Sequence, residues 1–215
     1  MSNQRELAYN KIRNAITFGE LKPGERLIER DICESFEVGR TPLREALRQL
    51  QMEGYVEVLP NRGAVISTIS INDVEEIYSI VAVLEGFAVE SATGELNKAH
   101  EQKLKSLQSS LKKHGLDKAY RKWLENNALF HAYFSEISGN NNLFPVIDWL
   151  RKKIYRYRFM AITIPGHIDE YIEAHEKILK AVFAGDQIAA GNAMREHVTH
   201  VKKVLLDYLQ QYPGL

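Results

Sequence analysis

The stretch "GRTPLREALRQLQMEGYVEVLPNRGAVIS", Gly39–Ser67, decides how the first part of this chain folds. Thr41 is a good helix N-cap and Pro42 suits the first helical position, so a helix is expected to open here. Leu43, Ala46, Leu47 and Leu50 recur at the spacing of one helix face. Thr41, Arg44 and Arg48 fall on the outer side, and Arg40 sits at the mouth. After Gly54, "YVEVLPNRGAVIS" alternates around a turn, as a small two-stranded hairpin does.

Working outward, residues 4–18 place Ala8, Ile12, Ala15 and Ile16 on one helical face. Gly19 and then Lys22-Pro23-Gly24 stop that helix. Leu27, Ile28, Ile32 and Phe36 mark a short second helix, and "EVGR" (37–40) is a tight connection. Helix, helix, tight turn, helix, hairpin is the order of a winged helix-turn-helix. A boundary follows, where Ser70 and Asp73 form a capping-box pattern and Ile69 and Val74 a hydrophobic staple. Beyond it only helical periodicity remains, over 71–93, 97–114, 117–138, 142–162, 167–184 and 186–211. Gly94, Gly115, Gly139, Pro165-Gly166 and Gly185-Asp186 punctuate these helices. The expected fold is mainly α: an N-terminal winged helix-turn-helix over 1–69, three helices plus a two-stranded wing, then an all-α antiparallel helix bundle over 70–215.

Composition narrows the function classes. The 215 residues are 45% hydrophobic with a net charge of zero. The first 67 residues are balanced too, ten Lys/Arg against ten Asp/Glu. Any nucleic-acid partner is therefore signalled by local placement, not by bulk charge. Cys33 is the only cysteine, so no internal disulfide forms, which fits a reducing compartment. The N-terminus has no signal-peptide pattern and no apolar run approaches membrane-spanning length, so a soluble cytoplasmic protein without a membrane partner is expected.

A helix with a buried apolar stripe opposite an arginine-bearing face is what groove reading requires. The stripe docks on the first two helices, and Arg40, Thr41, Arg44 and Arg48 face bases and phosphates. The helix N-terminus favours a phosphate, and Arg62 beside Gly63 is placed to reach an adjacent minor groove. Residues 7–67 resemble the N-terminal domain of the GntR superfamily of bacterial transcription regulators. The resemblance implies DNA contacts from Arg30, Arg40, Arg44, Arg62 and Gly63. One departure is Gly39, where relatives carry Ser or Thr before the turn arginine; a hydroxyl-to-phosphate contact is missing.

In the helical half, His131, His175 and His197 stand within the apolar stripes of three different helices, with Asn127 one turn before His131. Either each is a hydrogen-bonded core histidine, or the three converge on one shared cation. Residues 73–210 resemble the FCD effector domain of the FadR-type branch, through "NNALFHAYFSEISGN" (126–140) and "HEKILKAVFAGDQIAAGNAMREH" (175–197). The resemblance implies a metal held by His131, His175 and His197. Asn127 stands where metal-binding relatives carry an acid, which makes it a weak fourth ligand. A histidine-rich set points to Zn²⁺ or Ni²⁺. Relatives also carry an effector-clamping arginine where this chain has Val81, four before Glu85. An anionic effector is then left to the metal or to Arg151, Arg156, Tyr155 or Arg158. "KKIYRYRF" (152–159) reads either as a pocket wall or as a solvated, tyrosine-packed face. His100, His114, His167 and His200 carry no role in this reading.

The whole implies a homodimer on a pseudo-palindromic double-stranded operator, controlled by a small molecule. A metalloenzyme is the alternative. No Glu-x-x-His or His-Glu-x-x-His occurs, so neither the di-iron nor the zinc-protease ligand set is present. A third reading makes the bundle a dimerisation module only.

Overall fold

The structure, a computed structural model, describes residues 2–59 and 63–211. The chain forms two compact units. One takes the residues up to Ser70 together with Lys152–Arg156; the other takes Ile71–Arg151 and the chain from Tyr157 onward.

The first unit holds α1 (Ser2–Thr17), α2 (Glu29–Phe36), α3 (Arg40–Met52), β1 (Val56–Leu59) and β2 (Gly63–Ile66). The apolar spacings seen in the sequence make its core. Ala8, Ile12, Ala15 and Ile16 of α1 are buried, as are Leu43, Ala46 and Leu50 of α3, and Leu47 packs beside them. The strands pair antiparallel, from Val56 opposite Ile66 to Leu59 opposite Gly63.

Two local expectations are corrected. Leu27 does not belong to the second helix. Its N–H donates to the Ala64 carbonyl at 2.8 Å, and the Ile66 N–H donates to Glu25 at 2.9 Å. Residues 25–27 thereby give β2 a backbone partner on its far edge, and Ile28 becomes the extended N-cap of α2. Nor does Thr41 cap α3. Gly39 is the N-cap, extended at φ −73° and ψ 157°, and its carbonyl accepts from Leu43 N–H at 3.0 Å. Thr41 lies inside the first turn, as does Pro42, whose missing N–H is one the turn leaves unpaired in any case.

The second unit contains α4 (Ile71–Gly94), α5 (Lys98–Leu116), α6 (Tyr120–Ile137), α9 (His167–Phe183) and α10 (Gln187–Gln211), with α7 (Leu143–Lys153) up to Arg151 and α8 (Tyr155–Thr163) from Tyr157. The single helix expected over 142–162 is two helices, broken at Ile154, which is fully buried. No glycine or proline marks the break. α4 packs on α10 and α6, α5 on α6 and α9, and α9 on α10. By length and composition alone α4 is long and apolar enough to cross a bilayer, a run longer than the sequence was expected to hold, and half of its apolar stretch is buried inside the fold.

α4 and α10 approach closely because glycines face each other across them. A Cβ on Gly191 would stand 2.9 Å from the Gly86 carbonyl oxygen, a backbone atom with little freedom to retreat. Gly191→Ala is expected to force the helices apart and cost about 1–3 kcal/mol, the usual range for overpacking. A thermal melt of the variant should fall by about 2–10 °C for a chain of this size; an unchanged melting point would show that the crossing is loose.

Candidate functional site

On the first unit, Arg40, Thr41, Arg44 and Arg48 are all exposed along α3, opposite its buried stripe. Arg44 is gripped by Glu29 of α2 in a two-pronged ion pair. Its Nε donates to Glu29 Oε1 at 2.9 Å, and its Nη2 donates to Oε2 at 2.9 Å. These bonds hold the Glu29 carboxyl below its usual range, and the charge of nearby Arg40 adds to the effect. The paired guanidinium is thereby aimed by a residue the sequence reading missed, although Glu29 stands directly before Arg30. Arg30 is exposed and bonds its neighbour Asp31 at 3.1 Å. Gly63 opens β2 at φ +71°, a left-handed conformation that favours glycine. Arg62 lies outside the described residues.

On the second unit, α6, α9 and α10 bring His131, His175 and His197 together in the interior. One nitrogen from each lies within 4.8 Å of the others. His175 Nε2 is 3.2 Å from His197 Nε2. His175 also stacks on Phe130, with ring centroids 4.4 Å apart. His131 Nδ1–H donates to Glu85 Oε2 at 2.6 Å. Glu85 is 2% exposed and forms an ion pair with Arg151 through its other oxygen. A carboxylate behind a histidine fixes which ring nitrogen carries the proton, and here leaves Nε2 free to ligate. Among the described residues, His131 Nε2, His175 Nδ1, His197 Nδ1, Asn127 Oδ1 and Tyr78 Oη are buried with no hydrogen-bond partner. Of these, His131 Nε2 belongs to the cluster's ligating set, and a buried nitrogen without a partner there is costly unless something polar or cationic meets it. The donor set therefore fits a divalent transition metal, with Asn127 adjoining it on α6.

Of the other sequence candidates, Arg151 and Arg158 are buried, and their charges reach the centre, disfavouring protonation of His131. Tyr155 and Arg156 are not brought to it. They belong to the first unit, where Tyr155 packs against the apolar core. Val81 is buried. Glu85 could have been found in the sequence as the one carboxylate inside the apolar run "IVAVLEGFAV" of α4.

Burial keeps all three imidazoles neutral, with neighbouring positive charge reinforcing it. His131 and His175 lie well below the usual histidine range, and His197 is pushed down to about 4. The unfolded chain takes up protons on these residues near pH 6.5, whereas the folded, metal-free chain holds His197 neutral to about pH 4. Stability of the metal-free protein is thus complete above about pH 6.5 and declines as the pH falls through that window, by up to about 1.4 kcal/mol per unit for each histidine. Urea melts of chelator-treated protein across this range test it; a profile with no decline contradicts buried, neutral imidazoles.

An arginine-bearing helix-turn-helix with a wing, carried in one chain with an all-helical unit, defines a helix-turn-helix transcription regulator. Residues 4–66 match the gntR family of bacterial regulatory proteins and residues 76–200 match the FCD domain; the chain belongs to that family, in its FCD-bearing branch. It is a regulator and not an enzyme. The uncharacterised HTH-type transcriptional regulator YdhC of Bacillus subtilis is 29% identical, over 94% of this chain and 91% of its own. The HTH-type transcriptional repressor RspR of Escherichia coli is 24% identical, over 94% and 89%. Among solved structures, E. coli McbR/YncC superposes with a TM-score of 0.81 at 25% identity, covering 97% of this chain and 98% of that one.

Proposed function

We propose that the chain is a cytoplasmic, metal-containing regulator that binds a pseudo-palindromic operator as a homodimer. An anionic small molecule, such as an organic acid, sets its affinity. Residues 1–69 form the DNA-binding domain and 70–215 the effector and dimerisation domain. Arg44 reads base edges under the control of Glu29. Arg40, Thr41 and Arg48 follow the groove, Arg30 holds phosphate, and Gly63 and Arg62 contact the adjacent minor groove.

The observation that carries the effector reading is the convergence of three neutral imidazoles beside Asn127, Glu85 and Arg151. His131, His175 and His197 hold Zn²⁺ or Ni²⁺, with the Asn127 amide oxygen as a weak fourth ligand. When bound, the metal supplies an uncompensated positive charge that attracts an anion. Glu85 keeps His131 in the ligating tautomer. Arg151 neutralises Glu85, and Arg158 lends charge to the same interior. The two take the place of the arginine absent at Val81.

Two measurements test this. Arg44→Ala should lose discrimination between operator and scrambled DNA in gel shifts, by about 1–3 kcal/mol per base read; full retained discrimination would show that α3 does not read the groove. Elemental analysis of dialysed protein should find metal in the wild type and none at this centre in His175→Ala, with Asn127→Asp binding more tightly. Equal metal in wild type and His175→Ala would make the histidines ordinary core residues.

A further inference from the structure

A second histidine cluster lies outside the buried centre. His167 opens α9, Glu170 follows one turn later on the same face, and His200 comes from α10. Both imidazoles converge on one carboxylate oxygen: His167 Nδ1 is 2.8 Å and His200 Nε2 is 2.9 Å from Glu170 Oε2. One ligand atom from each residue lies within 4.8 Å of the others. Hydrogen bonds from His167 and then His200 hold the Glu170 carboxyl below its usual range. Side-chain exposures of 30%, 48% and 45% leave the cluster open to solvent.

As a hydrogen-bonded trio these exposed groups contribute little to stability. As a ligand set they are two imidazoles and a carboxylate on two packed helices, with water able to complete the coordination. The surroundings favour a cation. Glu170 and His200 line an open groove with Glu173, Glu196 and a single lysine, Lys177, and His197 of the buried centre forms part of the same wall. The Tyr171 ring lies against His167, His200 and His197, at centroid distances of 6.3, 6.1 and 6.1 Å, so one aromatic ring separates the two clusters.

We propose that His167, Glu170 and His200 hold a second divalent transition-metal ion at the surface, in the groove whose wall reaches His197. The ligand set suits Zn²⁺, Ni²⁺, Co²⁺ or Cu²⁺ over Mg²⁺ or Ca²⁺. The two ions occupy separate ligand sets, so the surface site stands or falls independently of the buried one.

The test uses the full, untagged chain, stripped with chelator and titrated with Co²⁺. Bound metal is measured by equilibrium dialysis with elemental analysis, and the cobalt absorption bands are recorded. Wild type should bind two equivalents. His200→Ala and Glu170→Gln should each lose the weaker one, with circular dichroism unchanged because both positions are exposed. His175→Ala should lose the tighter one and keep cobalt bands that vanish when His200→Ala is added. If His175→Ala removes nothing while His200→Ala removes one equivalent, the surface site stands and the buried centre fails. If His200→Ala and Glu170→Gln bind as much Co²⁺ as wild type at every free concentration, or if Mg²⁺ competes as well as Zn²⁺, the proposal is overturned.

Discussion

The bundle is organised around one buried charge. Glu85 sits in an apolar helix with 2% of its surface exposed, and an ionised carboxylate there must be paired. Arg151 of α7 meets one oxygen and His131 of α6 the other, so the pairing ties α4, α6 and α7 at a single point. Which partner carries the positive charge follows from magnitudes. Burial lowers the Arg151 guanidinium only to about 10, far above neutral pH, whereas burial and Arg151 together drive His131 well below the usual histidine range. The proton stays on Arg151, and His131 remains a neutral ligand. Glycine at Gly86 and Gly191 permits the close α4–α10 approach that brings the two helices carrying Glu85 and His197 into register.

The same logic of local charge governs the first unit. Over the first 67 residues acidic and basic groups cancel, yet α3 separates its side chains cleanly, with Leu43, Ala46 and Leu50 inward and Arg40, Arg44 and Arg48 outward. What matters for a groove-reading helix is this segregation on one face. Glu29 refines it by pairing with the guanidinium of Arg44, which in the proposed complex lowers the rotamer entropy still to be lost on contact with a base.

Much of this was legible from residue spacing. The α1 and α3 stripes, the hairpin and the three histidines in separate apolar faces all follow from periodicities of 3.6 and 2. What escaped shares a physical cause: it depends on partners distant in the chain. Leu27 reads as helical until β2 supplies its backbone partner, and Ile154 breaks a helix that its own sequence would continue. Thr41 has the better capping side chain, but the chain enters α3 two residues earlier, at Gly39. Tyr155 and Arg156 share a basic, aromatic run with Arg151 and Arg158, yet only the latter pair turn inward to the histidines. The His167–Glu170–His200 cluster was invisible because His200 joins it across the α9–α10 packing. Glu85 was visible as an anomaly in an apolar run, but its contact with His131 was not.

The Glu29–Arg44 pair also bears on how the protein senses ionic strength. Binding to duplex DNA releases about 0.9 condensed counterions for each phosphate neutralised. An arginine already paired within the protein brings less net charge to that exchange than a free one, because Glu29 travels with it to the interface. If α3 meets DNA as proposed, the salt dependence of binding is therefore shallower than a count of its arginines implies, and more of the affinity survives at high salt. A groove-facing helix that carries its own counter-charge gives up some non-specific electrostatic attraction, and discrimination between sequences depends correspondingly more on the geometry of base contact.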